Sequence, residues 1–119
     1  DRANNRVQVF TKDGTFVKET FISRRTLLSG AASGVAFSAD AEQRFLYVLD
    51  GANHRVWILL RDSLQLVGRF GQHGHWAGQL DVPHNIGVDS EGNLYIGETL
   101  EGRRVQRFLY TGLSSGVGP

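Results

Sequence analysis

The sequence predicts an all-β chain made of β-propeller blades, an incomplete arc of about two and a half blades, each blade a sheet of four antiparallel strands. Three observations lead there. The segments Asn5-Arg6-Val7-Gln8-Val9-Phe10, His54-Arg55-Val56-Trp57-Ile58-Leu59 and Arg103-Arg104-Val105-Gln106-Arg107-Phe108 align, and their arginines Arg6, Arg55 and Arg104 stand 49 residues apart. The short apolar runs carry large residues on both faces: along Arg55–Leu59, Val56 and Ile58 point one way and Trp57 and Leu59 the other. A sheet with one wet face would show a polar residue at every second position, so apolar residues on both faces place the sheet between two similar sheets. Lastly, Gly, Asn and Asp recur between the runs, where hairpins need residues that tolerate positive φ.

Taken in order, residues 1–22 supply the outer two strands of a first blade, joined by Lys12-Asp13-Gly14. Residues 23–32 read as a linker. Residues 33–70 form a complete blade, with strands near Gly34–Ser38, Phe45–Leu49, Arg55–Leu60 and Leu64–Phe70 and a turn at Asp50-Gly51-Ala52-Asn53. Residues 71–84 are a Gly-rich inter-blade loop. Residues 85–110 give the first three strands of a further blade, with a turn at Ser90-Glu91-Gly92-Asn93, and residues 111–119 read as a flexible tail. No window keeps apolar residues at helical spacing, so no helix is expected. An open arc leaves strand edges unpaired. The expectation is therefore a piece of a longer propeller, or a subunit that closes by association with further blades.

Composition excludes several classes of function. The 119 residues carry a net charge of +1, and no basic run exceeds two residues, which argues against nucleic acid as a partner. Cysteine is absent, so there is neither a disulfide framework nor a thiolate metal site. No run is long and apolar enough for a membrane span. Nothing resembles a Ser-His-Asp set, a P-loop or an EF-hand.

The run Phe70-Gly71 to Gly78-Gln79, followed by Pro83-x-x-Ile86-x-Val88-Asp89, Gly92-Asn93-Leu94-Tyr95-Ile96 and Arg104-Val105-Gln106-x-Phe108, resembles an NHL repeat. That resemblance implies a six-bladed β-propeller. Fold alone does not fix function. A narrower stretch, Val82-Pro83-His84-Asn85-Ile86 with Gly92 to Glu98 behind it, is similar to blades of peptidyl-α-hydroxyglycine α-amidating lyase. In that family, histidines from several blades bind zinc in the central channel, with calcium nearby. The resemblance thus implies His84 as one zinc ligand and an extracytoplasmic or secreted location. The preceding blade has Ser33 at the equivalent position, and the corner Asp50–Asn53 lacks the family's catalytic tyrosine.

The candidate site residues are His84, as a metal or substrate ligand at a strand mouth, and His73, His75 and Trp76, as a ligand-binding loop. Extended chain puts alternate side chains on one side, so the His-x-His spacing suits chelation. His54 reads as structural and Trp57 as packing between blades. The repeated arginines read as donors to backbone carbonyls, and Asp50, Asp89 and Glu98 as turn acceptors. Two functions follow. One is a scaffold binding a protein or peptide ligand; the other is a metal-dependent lyase of the amidating type.

Overall fold

The computed structural model describes residues 1–114; the last five residues of the expected tail lie outside them. Beyond a 3-10 turn at Arg2–Asn4, the described residues form nine strands. These are β1 (Arg6–Phe10), β2 (Phe16–Phe21), β3 (Ala32–Phe37), β4 (Phe45–Asp50), β5 (Arg55–Leu60), β6 (Leu66–Phe70), β7 (Pro83–Val88), β8 (Leu94–Glu98) and β9 (Val105–Phe108). They pair antiparallel into sheets β1-β2, β3-β4-β5-β6 and β7-β8-β9, each in chain order. The architecture is all-β and fits a partial β-propeller.

The middle sheet is packed on both faces, as the apolar pattern of β5 requires. Trp57 and Leu59 join Leu46, Val48, Ile22 and Ala31 in one cluster, against which Val7 and Val9 of the first sheet pack. Val56 joins Tyr47, Leu49, Leu80, Leu94 and Ile96 in the second cluster, with Ile58 packed against it. At about 25 cal/mol per Å² of apolar surface, these two layers are the main force holding the sheets together.

The turns use the residues the sequence offers. Asp89 accepts hydrogen bonds from the backbone N–H groups of Glu91 (3.0 Å) and Asn93 (2.9 Å), closing the β7–β8 hairpin. At the β4–β5 corner, fully buried Asp50 accepts from the Asn53 N–H (3.0 Å), the Asn53 amide (2.9 Å) and the Trp57 indole (2.9 Å).

Some strand limits differ from the sequence reading. Leu64 is drawn out of β6 by its left-handed conformation (φ 61°), so that strand begins at Leu66. The innermost strands start earlier than expected, at Ala32 and Pro83, because each carries a bulge. Ala32 pairs with Asp50 and Gly34 with Leu49, leaving Ser33 as the extra residue. Pro83 pairs with Glu98 and Asn85 with Gly97, leaving His84 in the same role. A bulge frees one residue from the ladder and re-aims its side chain. Gly51 passes close under the second bulge: a β-carbon there would stand 2.7 Å from the Pro83 carbonyl oxygen.

Leu49 is fully buried between the middle and third sheets. Leu49→Ala should lower unfolding free energy by about 3 kcal/mol. Glu91→Ala, on an exposed turn, should change it by less than about 0.5 kcal/mol. Urea titration of both variants checks the contrast.

Candidate functional site

One end of the sheets gathers every candidate residue. The β4–β5 corner, the β8–β9 corner, the mouths of β3 and β7 and the loop of residues 71–82 all lie there, as antiparallel order in chain sequence requires.

Arg104 holds the loop in shape. Its Nη1 donates to the His75 carbonyl (2.6 Å) and its Nη2 to the Gln79 carbonyl (2.8 Å). Its Nε bonds to Glu98 Oε2 at 2.6 Å. Gln106 adds two more ties, donating to the Gln79 carbonyl (2.6 Å) and accepting from the Gly78 N–H (3.0 Å). Glu98, whose side chain is fully enclosed, also accepts the Asp81 N–H (2.6 Å). A guanidinium suits this task because its fork of donors reaches several acceptors at once. Within the loop, Leu80 N–H donates to the Gln72 carbonyl (2.8 Å) and Gly74 N–H to the Leu80 carbonyl (3.2 Å). Gly74 sits at φ 150°, where a β-carbon would overlap the Gln79 side chain.

The other two repeated arginines differ. Arg55 donates to the Asn53 carbonyl (3.2 Å) and lies over the Trp57 ring (5.6 Å). Arg6 instead pairs with the carboxylates of Asp1 (2.8 Å) and Glu19 (3.4 Å). The carbonyl-donor role expected from the repeat thus holds for two of the three. The first blade has two carboxylates within reach of its arginine, and they take the place of the carbonyls.

Trp76 is 80% exposed at the tip of the loop, a large apolar ring with little covering it. His84 is exposed on its bulge. The equivalent Ser33 is turned inward, its hydroxyl donating to the Leu49 carbonyl (2.9 Å) and accepting from the Gly51 N–H (3.1 Å). His73 and His75 are exposed, and both reach Asp81: His73 Nε2 lies 3.4 Å from Oδ1 and His75 Nε2 3.4 Å from Oδ2.

His54, expected to be structural, half-emerges beside the loop with its ring 4.3 Å from that of His73. Its Nδ1 is buried and has no hydrogen-bond partner among the described residues. Burial chiefly, aided by the neighbouring His73, holds the His54 imidazole below its ordinary pKa. The structure therefore brings His54, His73, His75 and Asp81 together. Among the described residues, His84 belongs to no group of three such ligand-bearing side chains. As a zinc site it supplies one donor where about four are needed, so the described residues do not fit a channel zinc. Asp81 escaped the sequence reading because nothing equivalent repeats: three residues before His84 stands Asp81, and three residues before the matching Ser33 stands Gly30.

No helix among the described residues is long and apolar enough to cross a membrane. No protein-family model matches the chain. No curated protein matches it either. Among solved structures it is similar to Kuenenia stuttgartiensis hydrazine synthase, with a TM-score of 0.58 and 17% sequence identity over 79% of this chain. The match spans 23% of that protein's chain. That enzyme contains a β-propeller; at this identity the likeness speaks for the fold alone.

The Glu98 carboxyl titrates below its ordinary value of 4.5. Burial would raise it, but the bonds from Arg104, the Asp81 N–H and Gln106 outweigh that. A depressed carboxylate contributes stability that is fully present above pH 4.5 and lost as pH falls through the lower folded value. Glu98→Gln should cost about 3 kcal/mol at neutral pH, speed amide exchange across residues 71–82, and flatten the acid limb of stability below pH 4.5. Denaturant titration from about pH 3 to about pH 7, a span that brackets the carboxylate range, tests the first and third; hydrogen exchange at neutral pH tests the second.

Proposed function

We propose that this chain is an NHL-type β-propeller segment that acts as a binding scaffold for a protein or peptide ligand, within a larger propeller completed by further blades or subunits. The observation that carries the reading is the form of the rim. A loop clamped by Arg104 and Gln106 presents Trp76, 80% exposed, at the same end of the sheets as the mouth of β7 where His84 emerges. A rigid loop bearing an aromatic anchor suits recognition, because little conformational entropy is lost when a partner docks.

The open side of the first sheet calls for further blades. It has two strands, and the inner strand β3 faces it with Val35 and Phe37 51% and 42% exposed. Val35, Phe37, Val7, Val9 and Val17 line an apolar cleft of about 500 Å³ there. Two more strands on the free edge of β1 would cover that cleft and pair its open backbone groups.

A second reading is a metal-dependent lyase of the peptidyl-α-hydroxyglycine α-amidating type. His84, exposed on its bulge at the mouth of the innermost strand, stands where that family's pattern places a ligand. The remaining ligands and the catalytic groups of such a centre would have to come from other blades.

A peptide selected for binding to the assembled protein supplies the test. Trp76→Ala and His84→Ala should each weaken that peptide by about tenfold or more while leaving Tm unchanged. Undiminished binding by both variants would sink the rim as the binding face. Zinc that copurifies stoichiometrically and is lost in His84→Ala would favour the lyase reading. Light scattering checks closure: a stable monomer of 13.2 kDa would contradict the requirement for further blades.

A further inference from the structure

We propose that His54, His73 and Asp81 form a binding site for a divalent transition-metal ion of the zinc class, with His75 orienting the Asp81 carboxylate. The site is separate from His84, and it rests on local geometry rather than on the scaffold reading.

The distances fit a metal. One ligand atom from each of His54, His73 and Asp81 can be chosen so that all lie within 4.8 Å of one another. Two donors about 2.0–2.1 Å from a tetrahedral zinc stand about 3.4 Å apart. His73 Nε2 and Asp81 Oδ1 are already 3.4 Å apart. The His73 side chain is 64% exposed and free to pivot, whereas Asp81 is 6% exposed and fixed by its backbone bond to Glu98. Closing the wider separations thus asks for movement of the most mobile ligand.

Comparison with the first blade shows what is unusual here. Asn5 and His54 occupy corresponding places 49 residues apart, each with a left-handed backbone (φ 55° and 57°) just before its repeated arginine. Asn5 spends its amide on the adjoining linker. It donates to the carbonyls of Arg24 (3.2 Å) and Thr26 (2.8 Å) and accepts from the Ala31 N–H (2.7 Å). The second blade puts an imidazole, His54, at this amide station, with His73, His75 and the buried Asp81 beside it, and leaves His54 Nδ1 buried and unpartnered among the described residues. A buried polar atom without a partner costs about 1–3 kcal/mol, a cost the first blade avoids with asparagine.

The chemistry selects the class of ion. Two imidazoles and one carboxylate are borderline donors that suit zinc and its neighbours better than magnesium or calcium, which prefer all-oxygen shells. His75 approaches the second oxygen of Asp81 at 3.4 Å, the outer contact that fixes a ligating carboxylate. The loop's backbone is held by Arg104 and Asp81 by Glu98, so the carboxylate is positioned before the ion arrives.

The test is titration of the metal-stripped, full-length assembled protein with Zn²⁺ alone, read by calorimetry and by the ring proton shifts of the histidines. The expected result is about one ion per chain, with His54 and His73 resonances shifting together. His73→Ala, at an exposed position that leaves the fold intact, should weaken binding by about a hundredfold, and His75→Ala by about tenfold. His84→Ala should leave the affinity unchanged. Failure to bind Zn²⁺ more tightly than millimolar would overturn the site. So would unchanged affinity in His73→Ala, or loss of the ion in His84→Ala, which would move it to the channel.

Discussion

The structure depends on one constraint: a small sheet of four strands has two faces and must bury both. Trp57 and Leu59 on one side and Val56 and Ile58 on the other leave β5 no face for water. A single blade cannot satisfy that demand, so a neighbour is required on each side. The same constraint explains the repeat, because each added sheet meets the previous one with the same residue types at the same places. It also explains the open cleft over Val35 and Phe37, where the first sheet has two strands.

Packing of this kind sets the sheets in place but leaves their ends to polar chemistry. There the repeated arginine is the fixed element, and what it grips varies. Arg55 steadies its own corner and stacks on Trp57. Arg104 reaches across to two carbonyls of the preceding loop while its charge is balanced by enclosed Glu98. An enclosed carboxylate alone would be costly to desolvate; with the Asp81 N–H, the Gln106 amide and a guanidinium around it, it becomes the hub that joins loop, corner and strand. The rim is therefore shaped by a polar network resting on an apolar frame.

Much of the fold was legible in the sequence because it rests on repetition and alternation. The 49-residue spacing, the two-sided pattern of β5 and the Gly-Asn and Asp-Gly turns all act locally or recur. Ser33 and His84 could likewise be equated from their blades, though not that each forms the extra residue of a bulge. The cluster at the loop was not legible. His54 and Asp81 lie far apart in the chain and meet only because the loop doubles back through the Leu80–Gln72 and Gly74–Leu80 bonds. His54 next to a repeated arginine reads as part of the scaffold, and only an Nδ1 unpartnered among the described residues distinguishes it. Asp81 has no counterpart in the earlier blade to draw attention to it.

The bulge at the start of each innermost strand has a consequence for how such a protein changes over generations. A residue that stands outside the ladder and away from both apolar layers can be exchanged with little effect on folding. Serine there tucks inward and braces the neighbouring corner, while histidine turns outward to solvent. The second and third sheets thus each offer one nearly neutral slot facing the same end. Selection can alter the chemistry of that end one blade at a time, with the packed frame behind it left untouched.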